Sequence, residues 1–172
     1  MARARKSLPG RVPAADATPH VLVVGTDDWA VEQAVDRLAE AGHPVLTCHP
    51  SGEPAFPCNA MVEGRTCPLD VGFEAVVSIR ARHTDSPSFG EMGAVCGLRA
   101  GATLVLAGMT RRNPFGPWAA VVVEGGDLVA SVERALAARP PAADLRRPEA
   151  TTIELVEVAT ATVPAGDAVP AT

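Results

Sequence analysis

Two cysteines bracket the most unusual segment of the chain. Cys58 and Cys67 lie within residues 56–70, a stretch that holds two Pro and one Gly and shows no helical or strand periodicity. The two thiols could form a disulfide that closes the loop, or they could ligate Zn²⁺ together with Cys48 and His49. They could also be small packing groups, as buried free cysteines often are. The sequence leaves these alternatives open, and zinc is the cofactor that this loop suggests.

A second segment combines Arg111 and Arg112 with Phe115 and Trp118 between prolines. Arginine and large aromatic residues are the types enriched at the hot spots of protein–protein interfaces. In the structural alternative, Trp118 begins a strand and Phe115 fills the end of a sheet. We therefore expect these four residues either to contact a partner protein or to belong to the fold itself.

Three carboxylates stand where a strand or loop gives way to a helix. Asp27 and Asp28 follow an apolar run and could form an acidic pocket for Mg²⁺, or they could cap the next helix. Glu91 begins a helix of small residues. The helix macrodipole favours a carboxylate there whether or not it reacts.

A small cationic group follows the third apolar run. Arg80, Arg82 and His83 lie close together in the sequence. The group could bind an anion or exchange protons, or it could belong to a solvated loop.

Bulk composition excludes several classes of protein. A formal net charge of −5 argues against a general nucleic-acid binder that neutralises phosphates. No apolar leader and no run of ~18 apolar residues is present, so we expect no membrane span. The four cysteines include no Cys-x-x-Cys pair. These features predict a cytoplasmic protein with reduced thiols.

An alternation of strands and helices must position these residues. Short apolar runs predict five strands, at 20–25, 44–48, 73–79, 103–107 and 119–123. Helical spacing of apolar residues predicts three helices, at 29–41, 89–99 and 127–138. The pattern indicates an α/β fold, with a five-stranded parallel sheet in a flavodoxin-like three-layer sandwich. The irregular loop 49–71 stands in place of one helix, and any site is expected at the carboxyl ends of the strands.

The two ends of the chain differ from this middle part. Residues 1–18 are basic and without periodicity, which predicts a disordered N-terminal tail, and residues 19–140 form the predicted domain. Residues 141–172 are rich in Ala, Pro and Thr and predict a C-terminal tail. Within that tail, residues 152–158 could add one extra strand.

Several of these segments together resemble a response-regulator receiver domain. Residues 21–28 (VLVVGTDD) resemble its first strand and acidic pair, and residues 38–45 (LAEAGHPV) resemble the passage from helix to second strand. Residues 73–80 (FEAVVSIR) and 127–136 (DLVASVERAL) resemble its third strand and closing helix. The resemblance runs from residue 21 to about residue 139 and implies a flavodoxin-like fold.

The receiver's functional residues are missing from the matching positions. Its phosphate-accepting aspartate falls at Ser78, and its switch hydroxyl falls near residues 107–108, which are Ala and Gly. Glu124 stands in the region of its lysine, and the chain's single lysine is Lys6. The resemblance therefore implies a degenerate receiver that works without phosphorylation.

A shorter resemblance concerns residues 86–105 (SPSFGEMGAVCGLRAGATLV). This segment is similar to one in nucleoside deoxyribosyltransferase-like proteins, where a glutamate begins a small-residue helix before a strand. The resemblance implies that Glu91 is a catalytic nucleophile, which displaces a base from C1′ of a sugar.

Three hypotheses of function follow. The leading one is a non-catalytic, receiver-like regulatory or protein-interaction module, with loop 108–118 and the cysteine-bracketed loop as its contact surface. Its expected partner is another protein, with a homo-oligomer as an open alternative. The second is a small nucleoside deoxyribosyltransferase-like or N-glycosidase enzyme that uses Glu91. The third, a thiol- or metal-responsive sensor acting through Cys58 and Cys67, is compatible with the first.

Overall fold

A computed structural model describes residues 18–138, and a single five-stranded sheet forms its centre. All neighbouring strands are parallel, in the order β2-β1-β3-β4-β5. The strands are β1 (Val21–Gly25), β2 (Val45–Thr47), β3 (Ala75–Arg80), β4 (Thr103–Gly108) and β5 (Val121–Val123). The sheet confirms the predicted flavodoxin-like arrangement. The C-terminal tail with its segment 152–158, and all but the last residue of the N-terminal tail, lie outside the described residues.

Helices cover the two faces of the sheet unequally. They are α1 (Asp28–Glu40), the single-turn α2 (Pro68–Val71), α3 (Met92–Arg99) and α4 (Leu128–Ala137). Both α1 and α4 pack on one face, whereas α3 packs on the other. Among residues 18–138, no helix is long and apolar enough to cross a membrane.

The aliphatic runs of the sequence explain the two cores. Side chains alternate along a strand, so Val21 and Val23 join the core beneath α1 and α4, whereas Leu22 and Val24 join the core beneath α3. All four are at most 2% exposed. A parallel strand covered on both faces needs apolar residues at consecutive positions, and this requirement made the strands visible in the sequence.

Two of the crossovers lack a regular helix. The connection from β2 to β3 holds only a 3₁₀ turn (Asn59–Met61) and α2, as expected for a loop that replaces a helix. The connection from β4 to β5 also lacks one and holds only a 3₁₀ turn at Gly116–Trp118. Prolines at 114 and 117 disfavour a longer helix there. Phe115 packs into the core beneath α3 and covers apolar surface that a helix would otherwise cover.

Glycines allow α3 and the turn before it to approach the sheet closely. A β-carbon on Gly90 would lie 2.3 Å from the carbonyl oxygen of Gly25, at the end of β1. One on Gly93 would lie 2.5 Å from Cγ1 of Val24 and 2.9 Å from Sγ of Cys48. The start of α3 is therefore fixed against the ends of β1 and β2 by backbone contact.

We predict that Gly90→Ala lowers the free energy of unfolding by about 1–3 kcal/mol, the usual cost of overpacking. The new methyl group would meet a backbone carbonyl, which cannot rotate away as a side chain can. Gly116→Ala is the matched control, because nothing lies within 4 Å of its added β-carbon. Urea unfolding measures both variants, and equal stabilities for the two would contradict this account.

Candidate functional site

A buried ion pair lies at the carboxyl edge of the sheet. Arg80 ends β3, and Glu91 lies in the 3₁₀ turn (Phe89–Glu91) that leads into α3. Nε of Arg80 is 2.6 Å from Oε1 of Glu91, and Nη2 of Arg80 is 2.8 Å from Oε2. Both side chains have 0% exposure. Two parallel N–H···O bonds between a guanidinium and a carboxylate form the strong bidentate arrangement.

Neighbouring groups complete the hydrogen bonding of this pair. The hydroxyl of Ser78 donates to Oε1 of Glu91 over 3.2 Å, and the backbone N–H of Ser88 donates to Oε2 over 3.0 Å. The other guanidinium bonds of Arg80 go to the carbonyl oxygens of Thr84 and Ser86. The pair therefore holds the loop between β3 and α3 in place.

This geometry bears directly on the predicted nucleophile. Both carboxylate oxygens of Glu91 accept hydrogen bonds, and Glu91 lines neither of the two cavities described below. In this arrangement neither oxygen is free to attack a sugar carbon. Arg80 was expected in a cationic group with Arg82 and His83. It is instead 1% exposed, whereas Arg82 points outward and approaches Asp27 over 3.4 Å.

The two carboxylates of the acidic pair after β1 contact different parts of the structure. Asp27 accepts from the hydroxyl of Thr26 over 2.8 Å and contacts Arg82. Asp28 instead accepts from the backbone N–H of Gly52, in the loop after β2, over 3.3 Å. Across residues 18–138, no group of three His, Cys, Asp or Glu side chains is arranged to hold a metal ion.

In the aromatic and basic segment after β4, one of the four predicted interaction residues is buried and the other three are exposed. Phe115 is 5% exposed and belongs to the core, whereas Trp118 is 61% exposed. Arg111 is exposed as well, and Arg112 has a positive φ of 59° and approaches Asp85 over 3.8 Å. Three of the four predicted interaction residues are thus accessible.

All four cysteines of the chain line one cavity of about 230 Å³. Cys48 follows β2, Cys58 and Cys67 precede the 3₁₀ turn and α2 of the long loop, and Cys96 lies on α3. The cavity walls are otherwise mainly apolar. Each cysteine is partly buried, and none is in a disulfide. The fold therefore places the predicted pair, Cys58 and Cys67, in the same cavity as two cysteines from distant parts of the sequence.

Burial changes the acidity of two of these thiols. It raises the pKa of Cys48 from 9.0 to about 12, and the neighbouring thiols add to the effect because like charges repel. Burial is also the main cause that raises the pKa of Cys96. Cys48 is therefore a neutral thiol at physiological pH, which makes it a poor nucleophile.

A second cavity of about 480 Å³ lies between α1 and the loop after β2. Its walls include the carboxylates of Asp28, Glu32, Asp36 and Glu53. The hydroxyl of Ser51 donates to Glu32, so the loop is tied to the helix across this cavity. His49 lines both cavities, and its Nδ1 is buried without a hydrogen-bond partner.

Reasoning from the sequence missed two features of this region. It did not pair Arg80 with Glu91, and it did not connect Cys96 with the thiols of the long loop. One signal for the cavity was present, because Met92, Gly93 and Cys96 recur at helical spacing and all three line it.

Comparisons of the chain with protein-family models, with curated proteins and with solved structures found no match.

We predict that Glu91→Gln lowers the free energy of unfolding by about 3–5 kcal/mol, since it leaves the buried guanidinium of Arg80 without a counter-ion. Adding Arg80→Met to this variant should restore part of the loss. Glu53→Gln is the control, because Glu53 pairs with Arg65 over 2.5 Å but at the surface, where such pairs contribute about 0–1 kcal/mol. Urea unfolding of the four proteins gives the comparison. Unchanged stability of Glu91→Gln would contradict a structural role and favour the nucleophile.

Proposed function

We propose that this domain is a non-catalytic, receiver-like regulatory module that works without phosphorylation and acts through a protein partner. The observation that carries the proposal is the state of Ser78, at the position of the receiver's phosphate-accepting aspartate. Ser78 has 0% exposure, and its hydroxyl donates to Glu91. A buried hydroxyl in this network is not accessible to a phosphoryl donor, and a serine cannot form the acyl phosphate of a receiver.

Glu124, at the end of β5, also favours a module that works without phosphorylation. Glu124 follows β5, in the region where the resemblance implied a lysine, and it accepts a hydrogen bond from the hydroxyl of Thr110. A carboxylate there repels a phosphoryl group, which a lysine would bind. The Thr110–Glu124 bond links the segments that follow β4 and β5, so it serves the fold.

The contact surface that we propose is formed by Trp118, Arg111 and Arg112. A tryptophan that remains 61% exposed leaves apolar area in water, and a partner could cover it. Two neighbouring arginines supply charged hydrogen-bond donors at the rim, as is common around aromatic hot spots. An acidic or mixed protein surface is the complementary partner.

A capture experiment tests this proposal. Proteins retained by the immobilised wild-type chain are compared with those retained by Trp118→Ala, with Trp29→Ala as the matched control, because Trp29 is 69% exposed on α1, outside both predicted contact loops. We expect Trp118→Ala to weaken the specific partner at least ~10-fold, the effect of about 1.4 kcal/mol, and Trp29→Ala to retain it. Neither change should alter the urea midpoint. Equal retention by both variants would remove this surface from the proposal.

A second candidate function, a thiol-responsive switch, is favoured by the convergence of the four cysteines on one cavity. Cys58 and Cys67 bracket a loop that contains little regular structure, so a bond between them would restrict that loop. Hydrogen peroxide is a sufficient oxidant. Two thiols lose two protons and two electrons, the disulfide forms, and the peroxide is reduced to two waters.

For this candidate we predict that mild peroxide treatment removes two thiols and slows amide exchange in the loop. Cys58→Ser should abolish both changes, and Cys96→Ser should preserve them. Thiol titration and hydrogen–deuterium exchange measure the two effects. Four free thiols after oxidation, or an unchanged response in Cys58→Ser, would exclude a Cys58–Cys67 switch.

A further inference from the structure

The cavity lined by the four cysteines has an apolar rim that remains in contact with water. The rings of Phe56 and Phe89 lie 5.4 Å apart at its edge and are 56% and 66% exposed. Leu69 and Met92 also line the cavity and are 44% and 45% exposed. Exposed apolar side chains grouped around one opening are a feature of ligand-binding grooves.

The walls of this cavity carry little charge. Its lining residues include no Asp, Glu, Lys or Arg. The amide of Asn59 is already used, since it donates to the carbonyl of Cys48 and accepts from Arg65 over 3.2 Å. The Cys48 thiol is neutral because burial raises its pKa to about 12, and a neutral thiol behaves as a small apolar group.

One polar atom among the lining residues has no partner. Nδ1 of His49 is buried and makes no hydrogen bond within the described residues. A buried polar atom of this kind is normally satisfied by a protein group, water or ligand.

The volume limits the size of the occupant. About 230 Å³ is below the range of roughly 300–1,000 Å³ that drug-sized ligands occupy. It is also several times the ~30 Å³ that one water molecule takes up in the liquid, and apolar cavities of such size can stay dry and bind apolar molecules.

We propose that this cavity binds a small, uncharged and largely apolar molecule. The lining holds no Lys or Arg that would bind a carboxylate or phosphate, so we expect neither fatty-acid anions nor nucleotides as ligands. Binding would cover the apolar rim and the thiols together. The lining does not include Trp118, whereas it shares Cys58 and Cys67 with the proposed thiol switch, so the probe tests are made on the fully reduced protein.

The first test uses N-phenyl-1-naphthylamine, an uncharged probe that fluoresces when it leaves water. We expect saturable fluorescence with the wild-type chain, displacement by octan-1-ol, and no displacement by octanoate at the same concentration and pH. The two competitors share a chain length and differ in charge. Absence of saturable binding, or equal displacement by octanoate, would overturn the proposal.

Variants that leave the thiols intact locate the probe. Ala55→Leu adds carbon atoms at the cavity wall, and Phe89→Ala removes part of the rim, so we expect each to weaken binding at least ~10-fold. Met109→Ala is the control, because Met109 is 47% exposed and does not line this cavity. Unchanged binding in both cavity variants would contradict the assigned site. Two variants are used so that the result does not depend on one of them folding.

Alkylation separates this inference from the proposed functions. Saturating probe should slow the reaction of two of the lining thiols, Cys58 and Cys67, with uncharged iodoacetamide, measured by peptide mass spectrometry. Binding without protection would place the probe elsewhere and overturn the inference. Failure of probe binding leaves the partner capture and peroxide tests unaffected, and failure of those tests leaves the cavity result unaffected.

Discussion

The buried pair of Arg80 and Glu91 is the interaction on which the rest of the carboxyl edge depends. Removing two charges from water is costly, and their bidentate contact offsets that cost only if the remaining donors and acceptors are also satisfied. Ser78, Ser88 and two loop carbonyls meet this condition. The pair thereby fixes the turn before α3, and α3 in turn supplies the Met92 and Cys96 wall of the apolar cavity. A charged interaction thus shapes a site that is itself nearly uncharged.

Much of the fold could be predicted because its strands are buried on both faces. Such strands need consecutive aliphatic residues, and the runs in β1, β3 and β4 are long enough to stand out from the surrounding sequence. The predicted ends of these three strands lie within two residues of the observed ones. The helix expected over residues 89–99 begins instead as a 3₁₀ turn, in which the side chain of Glu91 accepts hydrogen bonds from the backbone N–H of Ser88 and from Arg80. The Ser88–Glu91 contact is a capping box that the local sequence encodes, whereas the contact with Arg80 comes from tertiary structure.

The candidate site was less predictable, because its chemistry depends on which side chains meet. Glu91 and Asp27 were correctly identified as carboxylates near helix starts, but a carboxylate bound to a buried guanidinium differs in reactivity from one in solvent. The periodicity of apolar residues shows which face of a helix or strand is buried. It does not show which side chain of another element that face contacts. The same limit applies to the thiols. Cys48 and Cys96 are 48 positions apart in the numbering of the chain, and only the packing of α3 beside β2 brings them to one cavity.

The unequal covering of the two faces has a consequence for how the domain opens. One face is closed by two helices of 13 and 10 residues, whereas the other has one helix of 8 residues and two crossovers with little regular structure. Segments with few backbone hydrogen bonds of their own open at a lower free energy than the global transition. Transient opening should therefore be one-sided: the two irregular crossovers of the α3 face separate, while α1, α3, α4 and the sheet remain folded. Access to the apolar interior would then be an equilibrium property of the native ensemble, governed by local stability.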